Sequence, residues 1–138
     1  TYINSGNVVF TSPNKPNAAV IKNGLQQTFG SDIGLVIYSA NQIIRIAESI
    51  PESWQNDSEQ KSDVVYLFPE VDDARFVMRA GYNSDIETAL YVPGAVIWNI
   101  NRANQQRGSL VKIVGTNLYR KVTIRNVNTA RKLAELVR

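Results

Sequence analysis

The sequence predicts an α+β fold that consists of two ferredoxin-like (split β-α-β) subdomains with antiparallel sheets, the first of them incomplete, and a C-terminal helix. Residues 63–125 follow the order β-α-β-β-α-β, which is the split β-α-β unit. Residues 1–50 follow the order β-β-α-β-α, the same unit without its opening strand and helix. A polar segment that starts with a proline separates the two halves. We therefore predict an incomplete subdomain over 1–50, a linker over 51–62 and a second subdomain over 63–138.

Two strands of a hairpin are predicted at the start of the chain, over residues 1–3 and 8–10. The β-branched and aromatic residues there favour a sheet, and the Asn and Gly residues between them accept the positive φ angles of a tight turn. A third strand is predicted over residues 33–38, because a short and dense apolar run is typical of a buried strand. The first half of the chain therefore supplies three predicted strands.

Two helices are predicted in the same half. Asn17 is a suitable cap for a helix that reaches Phe29, in which apolar residues recur on one face at spacings of three and four. Ser39 and Gln42 have the spacing of a capping box, which predicts a second helix over residues 40–50. Each helix has an apolar face that is expected to be directed inward.

The second half contains four predicted strands and two predicted helices before its closing helix. The strands cover residues 63–68, 85–92, 95–100 and 121–125, the helices begin at Asp72 and Ser109, and the closing helix covers residues 128–138. Pro93 and Gly94 join the second and third of these strands, since Pro fixes φ and Gly accepts a positive φ in a tight turn. Two helices packed on one face of a four-stranded antiparallel sheet satisfy the layer rule.

Two blocks of residues resemble a known family. The block Thr1-Tyr-Ile-Asn-Ser-Gly-Asn-Val-Val-Phe10 resembles the TYI-x-SGN-VVF block of a mostly bacterial, uncharacterised family, domain of unknown function 1697. Thr123-Ile-Arg-Asn-Val-Asn-Thr129, followed by Arg-Lys-Leu-Ala-Glu-Leu136, is similar to the T-x-RN-x-NT-xx-KLAEL ending of that family. The resemblance implies a fold and no established activity.

The same resemblance implies two departures from the family pattern. Members of the family have a further strand and helix before the first block, so this chain is expected to lack them and to have an exposed sheet edge. Members also commonly show a Ser-Lys pair ahead of the last helix. Only Ser109 and Lys112 are loosely available as equivalents in this sequence.

Composition limits the class of protein. Of the 138 residues, 43% are hydrophobic and 20% are charged, proportions that are typical of a soluble globular protein. The absence of cysteine excludes disulfides and thiolate catalysis and fits a cytoplasmic protein, although an extracellular protein can also lack cysteine. No apolar run approaches the roughly 18 residues of a membrane span, and no signal peptide is visible, so no membrane partner is expected.

The sequence offers no credible catalytic set, so an enzyme is not favoured. Because His and Cys are absent, the usual general base, the thiol nucleophile and the commonest zinc ligands are missing, and no metal or cofactor is predicted. The adjacent acids Asp72 and Asp73 indicate helix capping rather than a metal site. Ser5, Gly6 and Asn7 indicate a hairpin turn, with the alternative that their backbone N–H groups bind an anion.

Positive charge is concentrated in the last third of the chain. Residues 101–138 contain nine basic residues and one acidic residue, a net charge of +8, whereas residues 1–60 and 61–100 have net charges of −2 and −3. The leading hypothesis is therefore a non-enzymatic module that binds nucleic acid or another polyanion. The alternative is that these basic residues keep a surface soluble and pair with acids of residues 63–87. The candidate ligand-binding residues are Arg120, Lys121, Arg125, Asn126, Asn128, Arg131 and Lys132, together with Ser5, Gly6 and Asn7.

Two other functions remain open. One is an enzyme or a protein that binds a small anion between the subdomains, where Arg125, Asn126 and Asn128 would face the turn at residues 4–7. The other is an interaction protein that forms a homodimer through an exposed edge of its sheet.

Overall fold

One four-stranded antiparallel sheet organises the part of the chain that the structure describes. The computed structural model describes residues 6–138. Its strands are β1 (Gln60–Leu67), β2 (Glu87–Val92), β3 (Ala95–Asn101) and β4 (Val122–Asn126), in the spatial order β2-β3-β1-β4. Every neighbouring pair is antiparallel. The predicted α+β class and its antiparallel sheet are confirmed, and the ferredoxin-like description stays a prediction.

Five α-helices accompany this sheet within residues 6–138. They are α1 (Ala18–Phe29), α2 (Ala40–Glu48), α3 (Phe76–Arg79), α4 (Ser109–Lys112) and α5 (Val127–Val137). Two predicted caps are confirmed. The side chain of Asn17 accepts hydrogen bonds from the N–H groups of Ala19 and Val20 at the start of α1. Ser39 and Gln42 form the capping box of α2. The predicted C-terminal helix is confirmed as α5.

Helices cover both faces of the sheet. Strand residues buried on the first face, called here the α3/α4 face, are Val65, Leu67, Val96, Trp98 and Val122. Strand residues buried on the second, the α2/α5 face, are Val64, Tyr66, Ala95 and Ile97. Because successive side chains of a strand point to opposite faces, the central strands β1 and β3 are buried almost continuously rather than alternately.

Two predicted strands of the first half are wrong. Residues 8–10 form no strand, and Val8, Val9 and Phe10 are exposed. Residues 33–38 are half-buried for the most part but have no strand pairing. Tyr38 fixes the end of this segment through its hydroxyl, which lies 2.9 Å from the carbonyl oxygen of Leu67 and 2.7 Å from that of Gly94. Hydrogen bonds from a side chain therefore hold the end of this segment, in place of the backbone hydrogen bonds between strands that were expected. The strand predicted over residues 1–3 lies outside the described residues.

The second half differs from the prediction in the length of its elements. The helix expected from Asp72 is reduced to the single turn of α3, and the helix expected from Ser109 to the single turn of α4. Asp72 caps neither. Its Oδ1 accepts hydrogen bonds from the Gly94 N–H at 2.9 Å and the Tyr91 hydroxyl at 3.0 Å, so it connects this segment to the turn between β2 and β3. That turn is confirmed, with a φ of 93° at Gly94.

The segment predicted as a linker is in part structured. β1 begins at Gln60, where it pairs with Asn101 of β3, so the strand starts inside the predicted 51–62 range. Trp54 is half-buried against the core of the α2/α5 face. The division into subdomains stays a prediction. Across residues 6–138, none of the helices has the length and apolar character needed to cross a bilayer.

Candidate anion-binding site

The basic residues of the segment 101–138 fall into two groups. Some have side chains that contact other described residues of the protein, and some do not. Arg131 donates through Nη2 to the carbonyl oxygens of Pro51 at 3.2 Å and Trp54 at 2.9 Å. Arg102 donates to the carbonyl oxygen of Asp57 at 2.9 Å and to Asn56 Oδ1 at 3.0 Å. Both guanidinium groups therefore hold the 51–60 segment in place.

Two basic residues, Lys132 of α5 and Arg138 directly after it, form ion pairs at the surface. Lys132 Nζ lies 2.9 Å from Glu135 Oε2, one helical turn away. Arg138 Nη2 lies 3.3 Å from Glu48 Oε1 of α2. Exposed pairs of this kind contribute about 0.2–1 kcal/mol each to stability. They reduce the positive charge that α5 presents to a ligand.

Three basic side chains of residues 101–138 are exposed and bind no described residue of the protein. Arg120 and Lys121 lie in the short 3-10 helix Tyr119–Lys121 that precedes β4, and Lys112 is the last residue of α4. None of the three forms an ion pair or a side-chain hydrogen bond with residues 6–138. Tyr119, beside them, is 40% exposed.

Arg125 and Asn7, which the sequence analysis placed opposite each other, do meet. Arg125 Nε donates to Asn7 Oδ1 at 2.9 Å. Its Nη1 donates to Thr123 Oγ1 at 2.7 Å and to the Ile124 carbonyl oxygen at 2.8 Å. Both Arg125 and Asn7 are half-buried. This junction of Asn7 with Arg125 of β4 is the one place where predicted site residues from both ends of the chain make direct contact within residues 6–138.

The other predicted site residues are not part of this junction. Asn126 caps α5, because its Oδ1 accepts a hydrogen bond from the Thr129 N–H at 3.0 Å. Asn128 and Gly6 are exposed, and Gly6 has the positive φ of 78° that a turn requires. Ser5 lies outside the described residues.

Tyr66, a polar residue of the neighbouring strand β1, was not among the predicted site residues. In the register of β1 and β4, Tyr66 faces Thr123, and Val64 faces Arg125. Tyr66 and Arg125 are therefore diagonal neighbours on the same face of the sheet, a relation in which long side chains reach each other. Tyr66 is only 4% exposed, and its buried hydroxyl has no hydrogen-bond partner among residues 6–138.

The environment of Tyr66 keeps its phenol neutral at physiological pH. Burial raises its pKa to about 12, although the positive charge of Arg125 acts in the opposite direction. The ring of Tyr38 packs edge-on against that of Tyr66, with centroids 5.4 Å apart. Burial, together with the negative charge of Asp72, raises the pKa of Tyr38 as well, and the hydrogen bond to Leu67 opposes this only in part. At neutral pH Tyr66 thus has a buried phenol proton for which the described residues supply no acceptor.

A second polar cluster, on the α3/α4 face, is fully hydrogen-bonded. The carboxylate of Glu87 accepts from Trp98 Nε1 at 2.8 Å and from the Ser109 N–H at 3.1 Å. It also accepts from the Asn83 N–H at 2.9 Å and from the Ser109 hydroxyl. Burial raises the pKa of Glu87, but these hydrogen bonds outweigh it and lower the pKa below its ordinary value. The carboxylate is therefore ionised and connects β2, β3 and α4.

This cluster offers no room for a substrate. The cavity beside it, lined by Lys61, Asp63 and Glu87, has a volume of about 30 Å³, enough for one or two water molecules. Ser109 is buried in the cluster, whereas Lys112, with which it was compared to a Ser-Lys pair, is exposed. Asp73 binds Arg75, and residues 6–138 contain no group of three carboxylate, His or Cys side chains that could hold a metal ion.

Comparisons with known proteins identify a family and a fold. A family described as "Protein of unknown function (DUF1697)" matches residues 1–98. The solved structure of the conserved bacterial protein SP0830 from Streptococcus pneumoniae is similar over 100% of this chain and 79% of that chain. The TM-score is 0.75 at 21% sequence identity. No curated protein matches. The structural likeness is one of fold alone.

Proposed function

The chain belongs to the family of proteins of unknown function DUF1697, and we propose that it is a non-enzymatic module that binds nucleic acid or another polyanion. The observation that supports this is the set of three exposed basic side chains, Lys112, Arg120 and Lys121, which bind no described residue of the protein. Their ammonium and guanidinium groups remain available to phosphate oxygens. We name them the free basic set.

The packing of neighbouring apolar residues supports the view that the free basic set lies on one surface of the protein. Ile113 follows Lys112 directly, and Leu118 precedes the turn that carries Arg120 and Lys121. Both apolar side chains pack against the core of the α3/α4 face. The three charges are therefore anchored on the same side of the sheet. Tyr119, the exposed residue directly before Arg120, offers a ring on which an unpaired base stacks.

Counterion release gives the expected size of the effect. Three phosphate contacts predict a slope of log K against log salt of about −2.7 for duplex DNA and about −2.1 for a single strand. A module of this kind binds weakly and without strong sequence preference, because it reads the backbone rather than base edges.

The test is a titration of labelled single-stranded and duplex oligonucleotides between roughly 50 and 200 mM salt. We expect the wild-type chain to bind at low salt with the slopes above. The triple variant Lys112→Gln, Arg120→Gln and Lys121→Gln should bind at least about tenfold more weakly, with a slope near zero.

A matched control separates these three side chains from net charge. The triple variant Arg107→Gln, Lys132→Gln and Arg138→Gln removes the same charge from the same third of the chain. Each of these residues already has a polar partner in the protein. This control is expected to keep most of the affinity. Equal losses in both variants, or binding that salt does not affect, would refute the proposal.

We also propose that a second copy of the chain pairs with the outer edge of β2. β2 is an edge strand of the sheet, and its only charged residue, Glu87, is buried. Natural edge strands are usually protected by an exposed charge or a proline. Residues 88–92 have neither, and Leu90 is 39% exposed.

Light scattering over a range of concentrations tests this pairing. We expect a monomer–dimer equilibrium that Thr88→Lys shifts to the monomer, because a lysine on an edge strand opposes strand addition. Ser58→Lys, at an exposed position away from β2, should leave the equilibrium unchanged. A monomer at all concentrations would show that the edge does not pair.

A further inference from the structure

The segment 109–121 combines exposed positive charge with exposed apolar side chains. Besides the free basic set, it exposes Val111 and Tyr119, at 40% each, and Val114, at 59%. None of residues 88–134 is acidic, so no carboxylate of this stretch opposes an anion. A ligand that offers only charge would leave the three apolar side chains in water. The composition of the segment therefore indicates a ligand that has both anionic and apolar parts.

Buried residues hold the segment in place. Ser109 is buried at its start, Ile113 is buried in the core of the α3/α4 face, and Leu118 packs against that core. The end of the segment is fixed by the N–H group of Phe68, which lies 3.0 Å from the carbonyl oxygen of Lys121. Because the backbone is held at these points, ordering it on binding costs little conformational entropy.

A single strand of nucleic acid has both of the required parts. Each unpaired nucleotide carries one phosphate charge and a flat base whose face stacks on an aromatic ring, whatever the base. In a duplex the bases are stacked on one another, and the backbone presents phosphate and sugar to a protein surface. The ring of Tyr119 would therefore gain no stacking partner from a duplex.

An anionic bilayer is the other ligand with anionic and apolar parts. Protein surfaces that enter the headgroup region typically use Trp, Phe and Leu side chains on an amphipathic helix. Here two short valine side chains and one tyrosine are exposed, and α4 is a single turn. These observations favour the single strand over the bilayer.

We propose that the segment 109–121 binds single-stranded nucleic acid in preference to a duplex. The ring of Tyr119 stacks on an unpaired base, the free basic set contacts the phosphates, and Val111 and Val114 cover the neighbouring nucleotide. This inference rests on the proposed function, because it names the polyanion that the free basic set binds. Stacking and phosphate contacts do not distinguish one base from another, so the preference is for unpaired strands and not for a sequence.

Fluorescence anisotropy of the full chain with three labelled ligands tests the preference at low salt. The ligands are a thymidine strand of about twelve nucleotides, an abasic strand of the same length and a duplex of the same length. The abasic strand keeps every phosphate of the thymidine strand and lacks only the bases. We expect the thymidine strand to bind more tightly than the duplex and about tenfold more tightly than the abasic strand.

Tyr119→Ala removes the stacking ring. We expect this variant to bind the thymidine strand about tenfold more weakly and the abasic strand as the wild type does. Tyr119→Phe keeps the ring and should keep the affinity. Phe29→Ala is the matched control, because it removes another exposed aromatic ring, in α1, and it should bind all three ligands like the wild type.

The results separate this inference from the proposed function. If the abasic strand or the duplex binds as tightly as the thymidine strand, or if Tyr119→Ala binds like the wild type, the preference for single strands is refuted and the polyanion-binding module is retained. If no oligonucleotide binds at low salt, both are refuted. Binding to vesicles of equal parts phosphatidylserine and phosphatidylcholine, without binding to any oligonucleotide, would also refute both and would indicate an anionic membrane as the ligand.

Discussion

Glu87 is an ionised side chain that is almost completely removed from water. Its two oxygen atoms accept four hydrogen bonds, from Trp98, Asn83 and the main chain and side chain of Ser109. Glu87→Gln replaces one carboxylate oxygen by an NH₂ group. A hydrogen-bond donor then faces the donors that the oxygen had accepted from. We expect a loss of about 3 kcal/mol in the free energy of unfolding, measured by urea denaturation.

Glu52→Gln provides the control for this change. Glu52 is exposed, and its carboxylate makes no hydrogen bond or ion pair with the described residues. Surface substitutions of this type usually change stability by no more than about 0.5 kcal/mol. If Glu87→Gln were as mild as Glu52→Gln, the four hydrogen bonds would contribute little to the fold.

The role of a residue could be predicted where it depends on residues close to it in the sequence. The capping box of Ser39 and Gln42 depends on two residues three positions apart, and it forms as predicted. Tyr66 and Glu87 were not identified, because their importance arises from partners on other strands. Tyr66 lies in the strand that was predicted over residues 63–68 and that forms β1, and a tyrosine within this apolar run was the one signal available. Sequence spacing gave no means of pairing it with Arg125.

At the scale of single elements, α5 is held by both its cap and its packing. Asn126 accepts a hydrogen bond from the Thr129 N–H, so its side chain completes the first turn. Asn126→Ala should cost about 1 kcal/mol of unfolding free energy, whereas Asn126→Asp should retain the cap. Calorimetric unfolding measures both variants. Asn128→Ala, two residues later and exposed, should change stability by less than half as much.

The 51–60 segment is a second element whose order depends on a helix. Arg131 of α5 donates to the carbonyl oxygens of Pro51 and Trp54. Arg131→Met keeps the length and apolar stem of the side chain but removes both hydrogen bonds. We expect a protease specific for glutamate to cut after Glu52 and Glu59 several-fold faster in this variant, because local opening controls cleavage. Lys132→Met, at the adjacent exposed position, should be cut at the wild-type rate.

Elements with strong periodicity or caps were predictable, and those that need a distant partner were not. α1, α2 and α5 start within one residue of their predicted positions. Residues 33–38 are as apolar as β1, yet they form no strand, because no neighbouring strand pairs with them in the described residues. Backbone pairing is a tertiary property, and an apolar run alone does not specify it. Arg125 and Asn7 are hydrogen-bonded to each other, and the anion site predicted around them stays a prediction.

At the scale of the whole molecule, the buried carboxylate predicts how stability depends on pH. The pKa of Glu87 is lowered in the folded protein from its ordinary value of 4.5. A group of this kind contributes stability that is fully present above its unfolded pKa and is lost as the pH falls through its folded pKa. The pKa values of the exposed Asp57 and Asp73 are lowered too, with smaller effects on stability because solvent screens their interactions.

The difference in unfolding free energy between the wild-type chain and Glu87→Gln isolates the contribution of Glu87, because Asp57 and Asp73 are present in both. We expect this difference to be constant from neutral pH down to about 5.5 and to shrink as the pH falls below 4.5. A protonated Glu87 then resembles the glutamine that replaces it. Urea denaturation at a series of pH values measures the difference. If this difference in unfolding free energy stayed constant down to the pH at which acid unfolds the protein, the substitution would act through the shape of the side chain and not through its charge.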